Sequence, residues 1–535
     1  MPANETPSIP QGQPVAEWLE LADSLRPVLE EREQTPLNCV RIEASNAHPM
    51  GWDVLQDIDI ASSEIRDLRA GDSMVVDFGG HRTGYLSFAL RAVGREPDAP
   101  VRLRLIFGEV PYDVGEPLHP YTGWISASWL PEEIVTIDDL PQEVRLPRRY
   151  AFRFVRIEVI STSREFGVNV HNIRAHAVTS ARGSIPSLPS NTPAVLQRID
   201  EVSIATLRDC MQTCFEDGPR RDRRLWVGDL RLQALVHYST FGAGGGHDVV
   251  RRCLYLFAGL PRADGLVNAC VYERPRPTYA SIVTLDYAAL WVVTLSEYLA
   301  ASGDLATARE LWPVAKAQIE ILRKNVDVEG RFVDPQDSWI FIDWAEGLDK
   351  TVAMHGVLML ALRHGLRLAD AVGTRGEVAD WGTLVQAMAT AALGHFWDER
   401  LGLFVSGPNR QVSCASQAWM ALAGVALPSE QLGCAIKRAL ADAQAVRPVT
   451  PYLYHYLVEG LAACSLNDEA RQLIESYWGR MVALGADTFW EAFDPANPLS
   501  SPYGDVHANS WCHAWSCTPS WFFRQPGFLN FLPNA

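Results

Sequence analysis

The sequence predicts a multidomain α and β protein: an N-terminal antiparallel β-sandwich followed by an (α/α)6 toroid of six helical hairpins. Three observations carry this expectation. Between about residues 39 and 179, short runs of alternating apolar and polar residues are separated by Gly, Pro and Asp turns. A break then follows, marked by Gly183, Pro186, Pro189 and Pro193. Beyond it, apolar residues recur at helical spacing nearly to the end of the chain. At 535 residues the chain also exceeds one ordinary hydrophobic core. The expected boundaries are a tail and short helix over 1–38, the sandwich over 39–180, a linker over 181–193 and the toroid over 194–535.

Taken in order, residues 15–31 carry the first helical pattern. Strands are expected at 73–78 and at 84–92, on either side of a Gly-Gly-His-Arg-Thr-Gly turn. Two more are expected at 101–107 and 149–160, the last carrying Phe152, Phe154, Val155 and Ile157. After the linker, helices are expected over 194–215, 230–241, 248–258, 282–301, 304–324, 350–371, 377–396, 415–423, 430–442, 451–463, 467–484 and 510–523. Leu285, Ala288, Ala289 and Val292 show the rhythm. Ser302-Gly303-Asp304 stops one helix and caps the next, which makes a tight hairpin. Twelve helices in successive hairpins fit a six-hairpin toroid, in which one rim collects the loops.

Composition narrows the function classes. A net charge of −17 offers no basic surface for nucleic acid or an anionic membrane. No apolar run approaches the ~18 residues of a membrane helix. The first residues, Met-Pro-Ala-Asn-Glu-Thr-Pro, lack the basic and apolar regions of a secretory signal. Ten cysteines occur with no CxxC pair: Cys210 and Cys214 are four apart, and Cys253, Cys270, Cys434 and Cys464 sit singly in apolar segments. That spacing points to buried free thiols, no metal site and a cytoplasmic location.

The densest chemistry lies in Asp217-Gly-Pro-Arg-Arg-Asp222-Arg-Arg-Leu-Trp226-Val-Gly-Asp229. Gly218-Pro219 ends the preceding helix, and Asp229 is well placed to cap the next. Charge this dense between apolar helices is either a solvated loop or a lined pocket. Trp226 favours the pocket, because an aromatic plate among carboxylates is what a sugar ring stacks on.

This stretch resembles the signature of the α-L-rhamnosidases of glycoside hydrolase family 78, Asp-Cys-Pro-x-Arg-Glu-Arg-x-Gly-Trp-x-Gly-Asp. Asp217, Pro219, Arg221, Arg223, Trp226, Gly228 and Asp229 match in register. Asp222 stands where the family carries its catalytic Glu, and Gly218 and Leu225 replace a Cys and a Gly. The phrase Val-Val-Asp-Phe-Gly-Gly is similar to the sandwich that precedes the family's catalytic domain.

Three further stretches belong to the expected site. Asp337-Ser-Trp339-Ile-Phe-Ile-Asp343-Trp344 offers Trp339 and Trp344 as further walls and Asp343 as a polar contact, or else two core tryptophans. Trp490-Glu491 stands between aromatics, and a lone Glu there is either partnered in a core or has a tuned pKa. The resemblance implies that Glu491 is the second catalytic carboxylate. It also implies that His513, in Asn-Ser-Trp-Cys-His-Ala-Trp, binds a sugar hydroxyl.

Glycosidic cleavage needs one carboxylic acid to protonate the leaving oxygen and a second carboxylate on the opposite face. The resemblance thus implies an exo-acting, inverting α-L-rhamnosidase with Asp222 as acid and Glu491 as base. Asp217, Arg221, Trp226, Asp229, Trp339, Asp343, Trp344, Trp490 and His513 would contact substrate. The substrates expected are small rhamnosides, with no cofactor, nucleic acid or membrane partner, and the chain is compatible with a homodimer. Which of Arg221 and Arg223 points inward is open at this stage. Two rivals remain: a rhamnose–uronate lyase on the same scaffold, and a degenerate toroid that binds rhamnosides without cleaving them.

Overall fold

The computed structural model describes residues 12–59, 67–280, 282, 284–336 and 338–530. The expected tail over 1–11, and Asp337, lie outside them.

Helix α1 (Ala16–Ser24) is shorter than its pattern, because the chain turns at Leu25 and enters strand β1 (Glu30–Gln34). It packs on the helix Asp248–Ala258 of the C-terminal domain, and Trp18 donates to Glu310 of another helix of that domain. Nine more strands follow: β2 (Asn38–Ala44), β3 (Trp52–Asp59), β4 (Asp67–Leu68), β5 (Ser73–Gly94), β6 (Val101–Gly108), β7 (Glu132–Ile137), β8 (Gln142–Arg145), β9 (Tyr150–Ser161) and β10 (Phe166–Thr179). A short helix, α2 (Pro111–Gly115), lies between β6 and β7. Every pairing among these strands is antiparallel, in the order β1-β10-β5-β9-β6-β7, with β2, β3, β4 and β8 attached at the sides.

The two strands expected at 73–78 and 84–92 are one continuous strand. Gly79 takes φ +74°, and the pairing of β5 with β9 shifts register between Asp77 and Arg82. This bulge re-aims the chain without ending the strand. The first half of β5 pairs with β2 and β9, and the second half with β10 and β8. Through it the sheet folds over a core that includes Val76, Leu86, Leu103, Phe107, Phe152, Val155, Ile157 and Val168.

The C-terminal domain is a two-layered ring of helices. Its outer layer is α3 (Ala194–Cys210), α5 (Asp248–Ala258), α7 (Leu305–Leu322), α9 (Trp381–Ala391), α11 (Ser429–Ala441) and α13 (Asn467–Ala483). The inner layer is α4 (Val227–Ser239), α6 (Leu285–Ser302), α8 (Thr351–Val372), α10 (Cys414–Leu422) and α12 (Pro451–Ala463), each against the next. Gly228 permits the close approach of α4 to α6, since a Cβ there would lie 2.5 Å from the Tyr287 ring.

The sixth inner position is not the helix expected over 510–523. That segment is irregular, with a 3-10 turn at Ala514–Ser516 and only a short α14 (Pro519–Phe522). Its backbone amides are engaged elsewhere: Trp511 donates to Glu109, His513 to the Phe489 carbonyl and Ala514 to the Asp217 carbonyl. A helix would have to give up these bonds.

Two smaller expectations are also corrected. Helix α4 starts at Val227 with Trp226 as its N-cap, so Asp229 lies in the first turn and does not cap it. Of the ten cysteines, Cys434 is exposed rather than buried. Among the described residues, no helix is long and apolar enough to cross a membrane.

Candidate active site

Two loops at one rim of the ring carry the carboxylates. The first, 217–224, leaves α3 and returns to α4. Asp217 organises it: Oδ2 accepts the Asp222 amide at 3.2 Å and Oδ1 the Arg224 amide at 3.1 Å. Its own amide donates to the Arg224 carbonyl at 2.9 Å. Arg223 takes φ +62° to close the turn. At Gly218 a Cβ would sit 2.6 Å from the Arg221 carbonyl oxygen, so this loop is built around glycine there.

The loop resolves which arginine points inward. Buried Arg221 donates to Glu491 Oε2 at 2.6 Å and to the Ala508 carbonyl at 2.8 Å, and lies 3.7 Å from Asp222 Oδ1. Arg223 instead donates to the Pro219 carbonyl. Burial opposes a charge on Arg221, but Glu491, Tyr503 and Asp222 outweigh it and raise its pKa further. Asp222 is partly exposed and lies 3.7 Å from Arg224 as well, whose guanidinium covers the Tyr272 ring at 4.2 Å.

Glu491 is buried and held on several sides. Its carboxylate accepts from Arg221 and from the hydroxyl of Tyr503, and its amide donates to the Ser510 carbonyl at 3.0 Å. Its carbonyl accepts the Trp515 indole N–H at 2.9 Å. The Arg221 guanidinium stacks on the Tyr503 ring at 4.1 Å. One guanidinium therefore lies between the two predicted catalytic carboxylates.

His513 and Asp229 close the other side. His513 Nδ1 is 3.5 Å from Asp229 Oδ1, and its Nε2 is 3.9 Å from Glu491 Oε1. Both groups are buried, and neither His513 Nδ1 nor Asp229 Oδ1 has a hydrogen-bond partner among the described residues. Burial, aided by Asp217 and Glu491, raises the Asp229 pKa well above the usual carboxylate range. Burial and the Arg221 charge hold His513 well below the usual imidazole value, so its ring is neutral at pH 7. Asp217 is likewise raised, by burial first and then by the Asp222 carboxylate.

An aromatic wall joins the expected tryptophans to this cluster. Trp339 and Trp344 meet Phe341 edge-on, with ring centres 6.0 and 5.3 Å away. Phe341 stacks on Trp515 at 5.9 Å, and Trp515 meets His513 at 4.3 Å. Trp226 is partly exposed at the start of α4.

Two expected contacts lie apart from the cluster. Asp343 accepts from the Val449 and Thr450 amides and from the Thr450 hydroxyl, which uses its carboxylate to fasten the start of α12. Burial raises its pKa to about 6 even so. Trp490 is buried edge-on against Trp511 and Phe493, behind Glu491. Asp217 is in the cluster, but its oxygens are committed to its own loop. Tyr503, Phe341 and Trp515 belong to the site without having been expected. Phe341 and Trp515 sit inside stretches already marked by tryptophan, whereas Tyr503 follows Ser501-Pro502 with no motif around it. Among the described residues, no group of three or more His, Cys, Asp or Glu is arranged to hold a metal ion.

Comparison with known proteins fits this geometry. The family model described as glycosyl hydrolase family 78 alpha-rhamnosidase N-terminal domain matches residues 36–177. The model described as bacterial alpha-L-rhamnosidase 6 hairpin glycosidase domain matches residues 188–525. Among solved structures, the chain is similar to a rhamnosidase from Klebsiella oxytoca with rhamnose bound. The TM-score is 0.93 and the identity 44%, over 97% of this chain and 100% of that one. It shares its fold with a family 78 rhamnosidase of Bacillus sp. GL1, at TM-score 0.72 and 23% identity, over 89% of this chain and 50% of that one. It shares its fold too with an α-L-rhamnosidase of Streptomyces avermitilis complexed with L-rhamnose, at TM-score 0.63 and 16% identity, over 93% of this chain and 44% of that one. No curated protein matches the chain.

Proposed function

We propose, from the premise that the chain belongs to glycosyl hydrolase family 78 and is an α-L-rhamnosidase, that it releases terminal α-L-rhamnose from small rhamnosides with inversion. The observation that carries this reading is the Arg221 guanidinium between Asp222 and Glu491. One cation thus serves both carboxylates from different nitrogens. Inversion calls for a separation of roughly 6.5–9.5 Å between them, in which a water fits.

In this mechanism Asp222, the more exposed carboxyl, gives its proton to the glycosidic oxygen as the bond from that oxygen to the anomeric carbon breaks. Glu491 takes a proton from a water that attacks the anomeric carbon from the opposite face. Arg221 and the Tyr503 hydroxyl hold the Glu491 side chain in place for that step. The neutral imidazole of His513 and the carboxyl of Asp229 have hydrogen-bonding capacity left for ring hydroxyls. The wall formed by Trp339, Trp344 and Phe341 offers apolar faces to the sugar.

The chain spans about half of the Bacillus structure. The buried thiols of Cys210, Cys214, Cys253 and Cys270 support a cytoplasmic location. The test is a panel of aryl glycosides: rhamnoside, mannoside, fucoside and glucuronide. Sugar release from the rhamnoside alone is the expected result. A product absorbing in the ultraviolet as an unsaturated uronate would identify a lyase instead, and no release from any member would identify a binding protein.

A further inference from the structure

The bulge of β5 buries His81 at the boundary between the two domains. Its Nδ1 lies 2.7 Å from Asp209 of α3, and its Nε2 lies 3.0 Å from Glu109 of the sandwich. Glu109 Oε2 accepts the Trp511 amide at 2.9 Å and lies 3.4 Å from Arg220 Nη1. Arg220 forks onto both oxygens of Asp113, at 2.7 and 3.1 Å, and donates to the His507 carbonyl at 2.7 Å. His81, Glu109, Asp113 and Arg220 are all buried.

This network is adjacent to the reacting groups. Arg220 precedes Arg221, and the two guanidinium groups anchor on successive carbonyls, those of His507 and Ala508. The strip that bears those carbonyls continues to Ser510, which accepts the Glu491 amide. Glu109 therefore touches the loop of Asp222 and the strip beside Glu491 at once.

A second tether from the sandwich reaches the same carboxylate by another route. Thr122 donates through its amide to Asp505 Oδ2 at 3.0 Å, and through its hydroxyl to Asp505 and the Gly504 carbonyl. Trp124 donates its amide to the Tyr503 carbonyl and its indole N–H to the Pro502 carbonyl, each at 3.0 Å. Its ring leans on Tyr503 with centres 5.6 Å apart. Tyr503 is the residue whose hydroxyl holds Glu491.

We propose that the sandwich domain is a positioning part of the catalytic apparatus. Through Glu109 and Asp113 on one side, and Thr122 and Trp124 on the other, it holds Arg221 and Tyr503, and hence the Glu491 carboxylate, in reacting geometry. If adhesion alone were required, an apolar interface would serve as well, since buried ion pairs contribute little net stability over apolar replacements. Directional bonds to Arg220, Trp511 and the 502–505 turn instead fix orientation, to which catalytic rate is sensitive. The proposal rests on Glu491 as the base.

The test uses the full chain and two variants, Asp113→Asn in the buried tether and Thr122→Val with Trp124→Ala in the exposed one. Glu165→Gln, which breaks an exposed ion pair with Arg95 elsewhere in the sandwich, is the control. Each tether variant is expected to lower kcat roughly 10- to 100-fold on a nitrophenyl rhamnoside, with KM within about twofold of the parent. Glu491 is faced by Arg221, Tyr503, His513 and Asp229. Arg221 is the cation among these, and kcat is taken per folded molecule, from circular dichroism, so that loss of folded protein does not enter it. If Asp113→Asn does not fold, the exposed variant decides. Parent kcat in folded variants, with Glu491→Gln inactive, overturns the positioning role and leaves the base assignment intact. An active Glu491→Gln removes the base assignment, and this proposal with it.

Discussion

Arg221 donates from Nη2 to Glu491 Oε2 at 2.6 Å, so the predicted base carries its counter-charge on a residue of the loop that holds the predicted acid. The pairing ties the two halves of the reaction to one side chain. It also means that each carboxylate can be tested by changes that leave this frame in place.

Glu491→Gln keeps the shape of the side chain and an acceptor for Tyr503, but removes the group that takes a proton from water. Steady-state kinetics are expected to show kcat lower by on the order of 10²–10⁴, with KM little changed. Turnover near the parent value takes Glu491 out of the mechanism.

The first-formed sugar is expected to be β-L-rhamnose, because water attacks the face opposite the leaving group. Proton NMR in the first moments of the reaction, before mutarotation, reads this directly. An α anomer at that stage means retention, and Glu491 would then have to act as a nucleophile.

Asp222 is one methylene shorter than the Glu of the family signature, a difference of about 1.5 Å in reach. Proton donation needs a separation of roughly 2.6–3.2 Å from the glycosidic oxygen, or one bridging water. Asp222→Asn is therefore to be compared on a nitrophenyl rhamnoside, whose leaving group needs little protonation, and on an alkyl rhamnoside, which needs much. A far larger loss on the alkyl substrate is expected. Equal losses make Asp222 a binding residue and move the search for the acid to Asp217 or Asp229.

Asp229 gives a prediction in pH. Burial, with Asp217 and Glu491 nearby, raises its folded pKa, while the unfolded chain ionises near 4. Between those two values the folded state holds the extra proton, so this group's contribution to stability is full below about pH 4 and falls as pH rises toward the folded pKa. Asp229→Asn removes that loss. Thermal unfolding is expected to show the variant gaining roughly 2 °C or more on the parent at pH 8, relative to the difference between them at pH 5. An equal difference at both pH values means that Asp229 is ionised in both states.

The sequence by itself determined the order of the two domains and most of the helices, because periodicity is written residue by residue and a strand or helix needs only its own pattern to declare its face. It also marked the loop of Asp217 to Asp229 and the pair Trp490-Glu491, where charge and aromatics are compressed into a few positions. Tertiary structure decided what those residues do to one another. Arg221 faces Glu491, and not Arg223, because the left-handed turn at Arg223 and the carbonyl of Ala508 aim it there. Segment 510–523 has helical spacing, yet its amides are spent on Glu109, Phe489 and Asp217, partners up to 402 positions away. Tyr503 and His81 carry no local signal at all: one stands beside a proline in a polar turn, the other in what reads as a hairpin. Each gains its role only when a second domain closes over it, since a hydrogen bond across such distances in the chain is a property of packing and has no spacing to be read.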